Sequence, residues 1–212
     1  MKIIVILCLV LLVSCSQEPE VITGPFVFKN GITYDQTTNE PITGIVEEFH
    51  ENGQLNFRQH YKNGKRDGLD ESFRENGQLW VGGHYKDGEQ DGLRETYYED
   101  GQLQYKRTYK DGKPHGLFEY FEENGQLEIR GNYKDGEKDG LWETYYEDGK
   151  LQTKETYKDG KKDGLDESFY ENGQLRSRGN YKDGEIDGLH EMFDEEGNLT
   201  DTWTYRNGEQ VE

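Results

Sequence analysis

The sequence predicts an all-β protein, an elongated single-layer antiparallel meander built from tandem 24-residue β-hairpin repeats. Three observations predict it. A Gly-x-Leu triplet starts at Gly53, Gly77, Gly101, Gly125, Gly149, Gly173 and Gly197, always 24 positions after the last. A Tyr-[Lys/Arg]-[Asp/Asn]-Gly tetrad keeps the same step from Tyr61 to Tyr205, as does a Gly-[Leu/Ile]-x-Glu motif from Gly44 to Gly188. Finally, only 31% of residues are hydrophobic and 33% are charged, which alone would suggest disorder, yet 13% are aromatic. A fold that spends little on a central core reconciles these figures, and repeats stabilised by their neighbours are such a fold.

The elements follow in order. Residues 1–14 read as a lipoprotein signal peptide, with Lys2 basic and Ile3 to Val13 an apolar run too short to span a bilayer. Leu12-Val13-Ser14-Cys15 resembles a lipobox, so Cys15 is the expected lipidation site, with Cys8 leaving in the signal. Residues 15–25 are expected as a lipid-anchored tether. Residues 26–44, with Asn30-Gly31 as a turn, are expected as a capping hairpin, and 45–212 as seven repeats ending in a cap at Thr202 to Tyr205.

Within one repeat, Leu69, Glu71 and Phe73 alternate with Asp70, Ser72 and Arg74 before a turn at Glu75-Asn76-Gly77. Leu79, Val81, Gly83 and Tyr85 alternate next, before Lys86-Asp87-Gly88. Asn-Gly and Asp-Gly tolerate positive φ at little cost. Parity favours a three-residue first turn, a type I turn with a G1 bulge. It would put Phe73 opposite Leu79 and Glu71 opposite Val81, gathering the repeated apolar residues on one side. Strands spaced ~4.8 Å apart would make a rod about 65–70 Å long, each repeat rotated by roughly 45° against the next.

The repeats resemble MORN repeats, specifically the MORN-variant group, through segments such as Gly140-Leu141-Trp142-Glu143-Thr144-Tyr145-Tyr146-Glu147-Asp148-Gly149 followed by Tyr157-Lys158-Asp159-Gly160-Lys161. The resemblance covers about residues 28–209 and implies one twisted sheet of hairpins. This chain departs from the pattern where Asp70, Arg94 or Trp142 replaces a second glycine, and where only Gly83, Gly131 and Gly179 keep a later one. The resemblance further implies a binding protein, in some relatives an antitoxin and in others a membrane-associated one.

Charge limits the choice of partner. The net charge is −19, or −20 once Lys2 leaves, so anionic lipid headgroups and nucleic acid are disfavoured. Membrane attachment is expected only through the lipid, preferably at the outer membrane. A protein partner is expected, with a basic toxin as one form and a glycan as another. No cofactor, metal or catalytic set is expected. The histidines and acidic turns lack ligand spacing, and no Ser-His-Asp or Cys-His set can be assembled.

Candidate binding residues are the carboxylate column Glu71, Glu95, Glu119, Glu143 and Glu167, and the aromatics Trp80, Tyr105 and Trp142. The carboxylates could meet cationic side chains or sugar hydroxyls, and the aromatics offer large contact area. A period of 48 also runs through Gly83, Arg107, Gly131, Glu155 and Gly179, and it reads as duplication of a two-hairpin unit without mechanical meaning.

Overall fold

The computed structural model describes residues 20–211. It contains β1 (Val21–Ile22), β2 (Phe26–Lys29), β3 (Ile32–Asp35), β4 (Gly44–Phe49), β5 (Leu55–Lys62), β6 (Lys65–Phe73), β7 (Leu79–Lys86), β8 (Glu89–Tyr97) and β9 (Leu103–Lys110). There follow β10 (Lys113–Phe121), β11 (Leu127–Lys134), β12 (Glu137–Lys138), β13 (Gly140–Tyr145), β14 (Leu151–Lys158), β15 (Lys161–Phe169), β16 (Leu175–Lys182), β17 (Glu185–Phe193), β18 (Leu199–Arg206) and β19 (Glu209–Gln210). No helix occurs among the described residues. From β4 onward each strand pairs antiparallel with the next in one 17-stranded sheet, except that β12 and β13 both pair with β11, while β2 and β3 form a separate hairpin.

Two turns alternate along the meander, and their residues explain why. At Asp87-Gly88 both residues have positive φ, 52° and 94°, the requirement of a two-residue type I′ turn, and Asp or Asn followed by Gly meets it. The other turn spans Glu75 to Gly77. Gly77 has φ 81°, its N–H donates to the Arg74 carbonyl at 2.8 Å, and the Asn76 side-chain oxygen accepts the Gln78 N–H at 3.0 Å. This is the expected G1 geometry.

The expected facing of Glu71 and Val81 is corrected. Phe73 does lie opposite Leu79, but a second bulge at Leu79–Trp80 shifts the ladder, so Ser72 faces Val81 and Glu71 faces Gly82. The extra residue moves Val81, Gly83 and Tyr85 away from the face that holds Leu69, Glu71 and Phe73. The repeated apolar residues are thus divided between two faces. We call the first the ladder face and the second the tyrosine face. The division suits a single layer, in which neither surface is covered by another sheet and each needs some apolar packing of its own.

That packing is thin. Among the described residues, Ile42, Val46 and Trp142 are the buried apolar side chains, and no side chain is fully buried. Substantial contacts join only strands that neighbour one another in the sheet. At the start of the sheet, Val21–Ile22, within the stretch expected as tether, runs parallel to β4 opposite Ile45 and Val46 and covers part of its edge. The β2–β3 hairpin docks against the first type I′ turn, with the Thr33 N–H donating to the Gly64 carbonyl at 2.8 Å and the Gly64 N–H to the Ile42 carbonyl at 2.7 Å.

Candidate functional site

The bulge at each three-residue hairpin places every ladder glutamate opposite the same position of both neighbouring strands. Across the ladder face the line therefore reads Glu47, Arg58, Glu71, Gly82, Glu95, Lys106, Glu119, Arg130, Glu143, Lys154, Glu167, Arg178, Glu191. The five expected carboxylates are brought together in one row, but cations from this same chain are interleaved with them. The basic column was legible in principle, since Arg58, Lys106, Arg130, Lys154 and Arg178 keep the repeat step. What hid it was the bulge, which sets the cross-strand partner.

The interleaving is closest at Glu119, whose carboxylate is buried and held by Lys106 at 2.6 Å and Arg130 at 2.8 Å. Burial pushes its pKa up, but hydrogen bonds from Lys106 and Arg130 outweigh that and bring it below the ordinary glutamate value. Glu47 binds Arg58 at 2.7 Å, and Glu191 binds Arg178 at 2.7 Å. On the same strand, Tyr97 donates to Glu95 at 3.0 Å and Tyr145 to Glu143 at 2.9 Å. Where the cations close on the carboxylates, at Glu47, Glu119 and Glu191, little is left to offer as a bare carboxylate strip.

Beside the ladder, on the same face, runs a second column that charge-based reading passed over. Leu93, Leu117, Leu141, Leu165 and Leu189 are 41%, 38%, 39%, 37% and 46% exposed. One row of half-open leucines therefore flanks one row of paired charges.

The aromatic candidates do not form one strip. Trp142 is buried on the tyrosine face, where its indole stacks on Phe118 at 5.9 Å and meets Tyr133 edge-on at 5.1 Å. Its Nε1–H donates to the Asn132 carbonyl at 3.0 Å, and the Lys138 ammonium caps the ring at 4.1 Å. Tyr105 also lies on the tyrosine face. Burial raises its phenol, but Thr96, Arg94 and Arg107 bring it below the ordinary tyrosine value. Trp80, at the bulge, is 49% exposed and has the Arg74 guanidinium 5.8 Å from its ring.

The 48-residue alternation acquires a mechanical reading on the tyrosine face. A Cβ at Gly131 would sit 2.3 Å from the Trp142 indole, and one at Gly179 would sit 2.5 Å from the His190 ring. At these two positions glycine lets a flat ring lie directly on the backbone, whereas a Cβ at Gly83 would meet the Arg94 side chain at an ordinary 3.5 Å. In between, Arg107 reaches over Phe118 at 4.6 Å, and Glu155 receives Lys162 at 2.8 Å. The lipidation site Cys15 lies outside the described residues. Among the described residues no group of three or more His, Cys, Asp or Glu could hold a metal ion.

A family model described as MORN repeat variant matches residues 42–63, 90–111, 114–135, 138–159 and 162–183, just over half of the chain. The hairpins between and after these segments share the same turns and register. No curated protein matches. Among solved structures, one similar chain is the crystal structure of a GtfA/B complex bound to UDP and GlcNAc, at 12% identity and a TM-score of 0.21. The match covers 63% of this chain and 26% of that one, so this chain spans about a quarter of that protein's length.

Proposed function

The chain belongs to the MORN repeat variant family, and from that premise we propose a non-enzymatic, lipid-anchored scaffold of the bacterial envelope whose ladder face binds a protein partner. One observation carries the reading: a row of leucines about 40% exposed, at fixed intervals, on a face that no second sheet covers among the described residues. Across the sheet these leucines alternate with Thr108, Asn132, Thr156 and Asn180, and such a mix of exposed apolar and uncharged polar side chains beside charge suits a protein contact site. The paired ladder beside the leucines supplies a charged border whose members largely neutralise each other. The acidic turns on both edges, such as Asp87, Asp111, Glu75 and Glu99, steer the choice toward a partner with basic rims.

That charge also supports a second reading, an antitoxin or immunity protein that masks a basic toxin. A glycan strip finds less support, because Trp142 is buried and already stacked, hydrogen-bonded and capped by its neighbours. Anchoring through Cys15, with the outer membrane preferred, rests on the lipobox-like sequence.

Photo-crosslinking in the native envelope tests the reading. A crosslinking amino acid at Leu117 or Leu165 is expected to capture one and the same protein, whereas one at the turn positions Asp87 or Asp111 captures it weakly. Capture from the turns alone, or no adduct from either leucine, refutes the ladder face as the binding face. If the captured protein arrests growth when expressed without this chain, the antitoxin reading gains.

A further inference from the structure

The ladder has one internal rung missing. Between every other successive pair of glutamates from Glu47 to Glu191 stands an arginine or lysine, but between Glu71 and Glu95 stands Gly82. The cations on either side are committed elsewhere. Arg58 binds Glu47 at 2.7 Å and stays 3.9 Å from Glu71, while Lys106 binds Glu119 at 2.6 Å. No ion pair closes on Glu95 among the described residues.

The space above the gap is open. A Cβ built at Gly82 meets nothing nearer than the Leu79 side chain at 3.7 Å, and Gly82 does not need a positive φ. Arg58 itself shows what such a position can hold, since its guanidinium reaches toward the glutamates on both sides.

We propose that the Gly82 gap receives one arginine from the protein partner, whose guanidinium completes the charge ladder between Glu71 and Glu95 while apolar residues beside it cover Leu93. The proposal rests on the ladder face being the binding face. Charge complementarity selects the occupant. Two carboxylates without an intervening cation, in a chain of net charge −19, favour a cation, and a planar fork can serve two acceptors where an ammonium serves one point.

The probe is a fluorescein-labelled nine-residue peptide of Leu and Ser with one central Arg, beside a twin carrying uncharged citrulline there. Fluorescence anisotropy is read with the full chain. The arginine peptide is expected to bind, and both the citrulline twin and the Gly82→Arg variant are expected to weaken binding by about tenfold, the scale of one charge-assisted pair. Gly82→Ala leaves binding within about twofold, as does Asp183→Asn, which removes the same charge at a distant turn. A melting curve checks that Gly82→Arg remains folded.

Equal binding of the citrulline twin overturns the proposal, as does unchanged binding by Gly82→Arg, or no binding by the natural chain at millimolar peptide. If Leu117→Asp and Leu165→Asp weaken the peptide while Gly82→Arg does not, the ladder face stands and the missing rung falls. If none of the three changes binding, both fall.

Discussion

Most repeats of this chain are fastened to the next in one way, and the step from β10 to β13 is fastened in another. The residue that follows the strand before each three-residue turn donates to a carbonyl 23 positions on. His50 reaches Phe73, Arg74 reaches Tyr97, Tyr98 reaches Phe121, Tyr146 reaches Phe169 and Tyr170 reaches Phe193, at 2.7–2.9 Å. At the corresponding place before β11 stands Glu122, whose carboxylate has no proton to give. That step instead carries Phe118 stacked on Trp142 over Gly131. Here too the strand is broken into β12 and β13, with only Ile129 and Arg130 of β11 facing β13. A repeat array can lose its usual fastening at one joint when a larger side chain compensates within the same three strands.

This contrast can be broken most severely at the indole. Trp142→Ala is expected to cost about 3–5 kcal/mol in urea unfolding, the range for a buried tryptophan. No other single aromatic on the tyrosine face should match it. A loss below about 1 kcal/mol would show that the Phe118–Trp142 stack is not what holds the joint.

A second test moves across the sheet to the ladder. The folded pKa of Glu119 lies below its unfolded value near 4.5, so its ion pairs contribute stability at neutral pH that is lost as pH falls through the folded pKa. The stability gap between the natural chain and Glu119→Gln should be widest near neutrality and close below pH 4.5. A gap independent of pH would mean that shape, not charge, is what Gln disturbs.

The smallest effects belong to the fastenings themselves. Tyr170→Phe removes one neutral hydrogen bond and should cost about 1 kcal/mol in thermal or urea unfolding. Glu122→Gln should move the other way. Burial and the facing Glu122 together raise the Glu128 pKa, so this pair opposes folding at neutral pH and ceases to as pH falls. Glutamine relieves the repulsion and restores a donor, raising Tm by about 1–3 °C at pH 7 and by less in acid. A Tm that falls at pH 7 would count against the repulsion.

The period, both turn types and the three-residue loop were legible because glycine, asparagine and aspartate announce positive φ locally. The bulge at Leu79–Trp80 was not, since Gln78-Leu79-Trp80 contains no residue that signals an extra position. From that one residue followed the rest of the misreading. Glu71 was set against Val81, the aromatics were placed on a common side, and the glutamates looked like an open strip while their cations stood unnoticed across the strand. Trp142 was visible as a large ring, but only the glycine beneath it reveals that the ring lies flat on the backbone.

Since every strand leans only on its nearest and next-nearest neighbours, the chain can be lengthened or shortened in steps of one repeat with a single new seam to repair. The length of the sheet is then set by copy number, as gradations set the length of a ruler, without redesign of any one segment. A lineage carrying this fold tunes the extent of its ladder face by counting.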